Sequence, residues 1–345
     1  MNRRTFLYSM LGSAVATSSA NLAQDAKIKI AFLGGSHSHA KDKVKVVQES
    51  PLYELVGLFE EDPQLREYYQ RSGVALLSRD QILNEKSIQV VAVESAVKDH
   101  SPNARLVLQA GKHVHVEKPP SDDLNGFKSL VAESEKRQLL MQVGYMWRYN
   151  PGLKGALQAA RQGWLGKVYL LRGMMNTLIS GDRRPEWGQF KGGQMFEQGS
   201  HIIDPMVRLM GRPLKVTSTL KRHGPFDDSL MDNTVAILEW EGALGVITSA
   251  TLQPGAGPHR SLEILGSNGT AVVRPIEGPA LQIDLVKPAG PYQSKSQQVS
   301  LPAYRRYVDD FVELAMAIRS RKPLSVSSSQ ELAIQETLLR ASEMV

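Results

Sequence analysis

The run IKIAFL at positions 28–33 constrains the fold more than any other stretch, because it ends abruptly in Gly34-Gly35 ahead of a helical pattern beginning near Ala40. A short strand that is apolar on both faces must be covered on both. That is the situation of a parallel sheet flanked by crossover helices. The pattern repeats, with further strands expected at 54–60, 90–94, 113–116 and 141–145. Between them lie helical stretches at 63–72, with Pro63 in the first turn, and at 122–137, where Leu124, Phe127, Leu130 and Val131 share one face. Beyond Arg148 the texture changes. A helix at 151–162 leads through the turn Gly163-Trp164-Leu165-Gly166 into strands of alternating character at 167–174, 234–239, 245–252 and 261–265, with helices again at 304–319 and 330–343. Alternation with Gly and Pro turns indicates a mostly antiparallel sheet with one open face, a surface suited to a homo-oligomer. A chain of 345 residues has room for two domains. The expected class is therefore α/β at 27–147 followed by an α+β domain at 148–345.

The glycine turn after the first strand is where a Rossmann domain seats a pyrophosphate, against the N-terminus of the next helix. With Gly34 as the first glycine of G-x-G-x-x-G, the second position falls on Ser36 and the third on His39. Ser36 is small, and its hydroxyl can donate to a phosphate. His39 is bulky where close helix–strand packing normally demands glycine. Gly34, Gly35, Ser36, His37 and His39 thus form a modified nucleotide loop. Glu60 closes the second strand, where a carboxylate accepts hydrogen bonds from both ribose hydroxyls and repels a 2′-phosphate, which favours NAD over NADP.

Two later stretches are more specific. GKHVHVEKP, from Gly111 to Pro119, resembles the GKHV-x-x-EKP signature of the Gfo/Idh/MocA oxidoreductases. GGQMFEQGSHIID, from Gly192 to Asp204, resembles the family's G-G-x-x-x-D-x-G-x-H-x-x-D stretch, with Glu197 in place of the usual Asp. Arg148-Tyr149-Asn150-Pro151 and Asp232-Asn233-Thr234 extend the resemblance over almost the whole chain after its first 25 residues. It implies a nucleotide domain followed by a domain on an open antiparallel sheet, with the active site between them. By the same resemblance, Glu117 and Lys118 lie against the cofactor, Lys118, Glu197 and His201 carry the catalysis, and Arg148, Tyr149 and Asp204 contact substrate. One departure is Ser95-Ala96-Val97-Lys98-Asp99-His100, where the family often has T-P-N-x-x-H. The histidine is kept, the proline turn is lost, and Glu94 stands at the strand end without an assigned role.

Oxidising a secondary alcohol by hydride transfer requires a base for the hydroxyl proton and a positive charge beside the developing alkoxide. Lys118, fixed by Pro119, suits the second role. His201 suits the first, since an imidazole titrates near neutral pH. Glu197, four residues before His201, can reach the same substrate or orient the imidazole. These groups are expected in an accessible cleft, so that removing Lys118 or His201 leaves the fold almost untouched. The pairs His37/His39 and His113/His115 lack the set ligand spacings of zinc motifs, and no metal is expected.

The first 25 residues combine Arg3-Arg4, an apolar run from Phe6 to Ala16 and small residues near a cleavage point. They resemble a twin-arginine export leader, which implies a periplasmic protein carried out folded with its cofactor. The run is too short for a membrane span. A formal charge of +6, two of it from Arg3 and Arg4, is spread without the basic stripe that nucleic acid requires, and Lys41, Lys43 and Lys45 read as a solvated helix face. Cysteine is absent, which excludes disulfides and thiolate nucleophiles. The expected activity is oxidation of a secondary hydroxyl on a sugar, polyol or glycoside, with tightly held NAD. A redox-neutral glycosidase working through a 3-keto intermediate and a non-catalytic sugar-binding protein are the alternatives.

Overall fold

The computed structural model describes residues 26–345, so the leader-like segment lies outside it. Five parallel strands, β1 (Ile28–Leu33), β2 (Tyr53–Phe59), β3 (Val90–Val93), β4 (His113–Val116) and β5 (Met141–Val143), form a sheet in the order β2-β1-β3-β4-β5. The chain reverses its direction of winding between β1 and β3, and a crevice opens there at the carboxyl ends of the strands. All four residues of β3 and five of the six in β1 are buried, as helices on both faces require.

The second sheet has eight strands: β6 (Val168–Met174), β7 (Lys215–Lys221), β8 (Asn233–Trp240), β9 (Ala243–Ala250), β10 (Ser261–Gly266), β11 (Gly269–Val273), β12 (Leu281–Leu285) and β13 (Lys295–Val299). Their order is β13-β12-β11-β10-β6-β9-β8-β7, antiparallel throughout except where β6 runs parallel to β9. One face is covered by the helices Pro151–Arg161, Ser200–Met210 and Ser328–Ala341. The other is open and carries Tyr169, Ile237 and Leu244.

The helix Ser328–Ala341 ties the halves together, packing on both Ser200–Met210 and Leu124–Lys136. Buried apolar side chains consequently run without a break from β1 to the last helix. This junction presents the segment 192–204 to the carboxyl ends of β1, β3 and β4.

Candidate active site

The loop after β1 is shaped by contacts that exclude side chains. Gly34 has a φ of +89°, and a Cβ there would stand 2.5 Å from Ser95 Cα. At Gly35 a Cβ would meet the Tyr69 ring at 2.4 Å, and the Tyr69 hydroxyl donates to Gly35 O at 2.8 Å. Glu60 holds the loop from the other side: Oε2 accepts from Gly35 N–H (2.7 Å), while Oε1 accepts from the Glu61 and Asp62 amides (2.8 and 3.0 Å). Gly34, Ser36, Glu60, Ser95, Asp99 and Asn103 line a cavity of about 280 Å³, with Ser36 exposed into it. This cradle, in which backbone approaches closely and a carboxylate retains a free lone pair, fits the adenosine and phosphate end of a dinucleotide.

Behind the loop lies a buried ionic cluster. Lys43 Nζ donates to Glu94 Oε1 (2.6 Å), to His115 Nε2 (2.8 Å) and to Glu117 Oε2, which uses all three ammonium protons. His115 then donates from Nδ1 to Gln142 Oε1 (2.8 Å), and burial beside Lys43 pushes its pKa down to about 3. Burial raises Glu94 to about 8 against the pull of Lys43. Glu117 is held well below the ordinary carboxylate value: burial opposes this, and Lys43 with the neighbouring histidines outweighs it. The other Glu117 oxygen, Oε1, accepts from Lys118 N–H at 2.9 Å and lies 3.2 Å from His39 Nδ1.

The three candidate catalytic residues come from both halves. Lys118 leaves the end of β4 with Nζ fully buried, donating to Glu197 Oε1 (2.6 Å) and to Glu197 O (3.3 Å). Glu197 lies on the π-helical turn Met195–Gly199, and His201 follows in the first turn of Ser200–Met210. His201 packs against Trp147 and His39, with ring centroids 4.7 and 6.4 Å away, and its Nδ1 has no hydrogen-bond partner among the described residues. Burial, followed by Lys118, holds the imidazole neutral, well below its usual pKa. A neutral ring with an open nitrogen beside a buried ammonium is an arrangement for taking a proton from a hydroxyl whose oxygen the ammonium stabilises.

The comparisons agree with this geometry. Residues 28–145 match the model for the oxidoreductase family with an NAD-binding Rossmann fold, and residues 154–272 match the GFO/IDH/MocA C-terminal domain. The chain belongs to the Gfo/Idh/MocA oxidoreductases. A myo-inositol 2-dehydrogenase from Thermotoga maritima is 24% identical over 312 residues, covering 87% of this chain and 90% of that protein. Among solved structures, a UDP-N-acetylglucosamine 3-dehydrogenase from Acidithiobacillus ferrooxidans superposes with a TM-score of 0.78 at 18% identity, over 93% of this chain and 98% of its own. GenD2 from gentamicin A biosynthesis, solved in complex with NAD, gives 0.76 at 21% identity, over 92% and 94% of the two chains.

The structure of this family member brings Lys118, Glu197 and His201 together, but directs Glu197 to Lys118, so that the carboxylate is a partner of the ammonium and makes no bond to the imidazole. All three are buried, contrary to the accessible cleft expected. Arg148, Tyr149 and Asp204 are placed differently from the Lys118 group. Arg148 donates to Asp204 Oδ1 (2.9 Å) and, through two nitrogens, to the Glu331 carboxylate (2.6 and 2.8 Å), while the Tyr149 hydroxyl bonds Glu313. Their polar atoms are taken up in tying the turn after β5 to the helices Ser200–Met210, Val308–Ser320 and Ser328–Ala341. Lys43 corrects the reading of a solvated lysine face, being fully buried. The signal was its spacing from Ala40 and Val47, which puts it on the inward stripe of the helix Ala40–Glu49. His100, retained from the family pattern, lies between Ser95 O (3.0 Å from Nε2) and Pro119 O (2.8 Å from Nδ1), and its one ring N–H donates to one of the two carbonyls.

Proposed function

We propose that this oxidoreductase oxidises a secondary hydroxyl of a sugar, polyol or glycoside, with NAD as a tightly held cofactor. The observation that carries the reading is the Lys118–Glu197 pair set beside the open nitrogen of His201, at the strand ends where the glycine cradle lies. When bound, the nicotinamide supplies the hydride acceptor. Lys118 Nζ faces the substrate oxygen and offsets the negative charge that develops on it, and Glu197 fixes the ammonium at that point. His201 receives the hydroxyl proton at Nδ1, and Trp147 holds the ring in place by packing. Exclusion of water by the buried surroundings strengthens each of these interactions.

Glu60 supports NAD over NADP, because a 2′-phosphate would be brought against a carboxylate that the Gly35 amide holds in the cavity wall. The inositol dehydrogenase relative supports a polyhydroxylated substrate and a net oxidation. The pair Lys118 and His201 is superfluous in a pure binder. The Arg3-Arg4 leader supports export to the periplasm with the cofactor already bound, and the exposed Tyr169, Ile237 and Leu244 support a homo-oligomer through the open sheet.

The deciding experiment denatures purified protein and identifies the released nucleotide by mass and absorbance, then screens sugars and polyols for a keto product. NAD released in stoichiometric amount is the expected result. Protein that carries no nucleotide and fails to bind added NAD or NADP overturns the proposal.

A further inference from the structure

We infer that His37, His39 and Glu117 form a binding site for one divalent transition-metal ion of the zinc class, in the place where the nucleotide loop has lost its glycines. One ligand atom from each of the three lies within 4.8 Å of the others. One pair, His39 Nδ1 and Glu117 Oε1, is 3.2 Å apart, and the histidine nitrogen has no other partner among the described residues. A tetrahedral zinc ion with ligands at its usual distances separates two donor atoms by about 3.3 Å. The pair is therefore already spaced as the edge of a coordination tetrahedron. Two imidazoles and a carboxylate also make up a donor set from which zinc leaves a position open.

The second cluster of possible ligands, Glu94, His115 and Glu117, is not a site, because Lys43 Nζ already occupies its centre within 2.8 Å of the His115 nitrogen. In the first cluster Lys43 Nζ binds the other oxygen of Glu117, Oε2, and leaves Oε1 facing His39. His201 Nδ1 is likewise unpartnered among the described residues, and its ring centroid lies 6.4 Å from that of His39. His39 is partly exposed, which gives the ion a path of entry.

The site goes beyond the dehydrogenase reading and stands independently of it, since the ligands are set by protein geometry alone. The test uses the full chain without an affinity tag. The protein is stripped with chelator, loaded with Co²⁺ in place of zinc, and desalted, after which retained metal and the visible ligand-field spectrum are measured. One Co²⁺ per chain with the intense bands of a four- or five-coordinate site is expected, falling to background in both His37→Ala and His39→Ala, with His39→Asn as a second variant that spares packing. Thermal unfolding of the metal-free forms shows whether each variant is folded. Absence of retained metal in the parent overturns the inference, and so does retention undiminished in the folded histidine variants. Nucleotide content, determined on the same samples, reports on the dehydrogenase proposal separately.

Discussion

Replacing Lys118 by Ala tests both the chemistry and the architecture of the site. The ammonium is fully buried and donates to Glu197 Oε1 at 2.6 Å, while Glu197 Oε2 has no other partner among the described residues. Removing the lysine strands that carboxylate in a low-dielectric interior. Breaking a buried ion pair from one side costs about 3–5 kcal/mol. At about 2 °C per kcal/mol for a chain of this size, the melting temperature should fall by roughly 6–10 °C. Turnover should also drop by about 10²–10³-fold, the usual effect of removing one group that stabilises a developing oxyanion. The two effects separate in the double variant Lys118→Met/Glu197→Gln, which removes both charges at nearly constant volume. It should recover stability to within about 1 kcal/mol of the parent, as neutral replacements of buried pairs commonly do, while remaining inactive. Calorimetry on nucleotide-free and NAD-saturated protein, with single-turnover reduction of the nicotinamide, measures both quantities. A Lys118→Ala protein that melts with the parent, or a double variant no more stable than the single one, would refute the buried-pair argument.

Glu60→Ala should weaken NAD by about 10–100-fold, from about 1.5–3 kcal/mol for a hydrogen bond to a charged group, and move the preference toward NADP. Isothermal titration with both nucleotides checks this, and an unchanged NAD:NADP ratio would count against the assigned role. Folding stability should peak near pH 6.5, because His37, His39, His100, His113, His115 and His201 all have lowered pKa values through burial, so the unfolded chain binds the extra protons and stability is lost as pH falls below ~6.5. Above that value Glu94, raised by burial to about 8, and Asp310, raised to about 7, are the groups that the folded state keeps protonated, so stability declines gently toward pH 8; urea midpoints that keep climbing from pH 6.5 to 8 would contradict this.

Much of the molecule was legible in the sequence because its determinants are local. The run 28–33 had to be a doubly covered strand, and β1 and β4 occupy the expected residues. Gly34 was required by a positive φ, Glu60 by its place at the end of β2, and Lys118, Glu197 and His201 were marked by motifs whose spacing survives in the fold. The outer strands β11, β12 and β13 were not foreseen. They are five residues each, and β13, KSQQV, is polar enough to read as loop until β12 pairs with it.

What only the tertiary structure decided is which charges meet. Lys43 looked like a surface lysine because composition does not show that β3 and β4 each bring a carboxylate under the same helix, 51 and 74 residues further along the chain. Arg148 reads as a substrate contact until Glu331, 183 residues away, is seen to take its guanidinium. The reason is physical. A strand or a turn is selected by neighbours within a few positions, whereas a buried ion pair depends on desolvation and on a partner that only the packed chain can supply. The sequence by itself therefore determined the sheet, the glycine turn and the candidates for the chemistry; burial and long-range pairing decided which polar side chains are left without partners and which hold the two halves together.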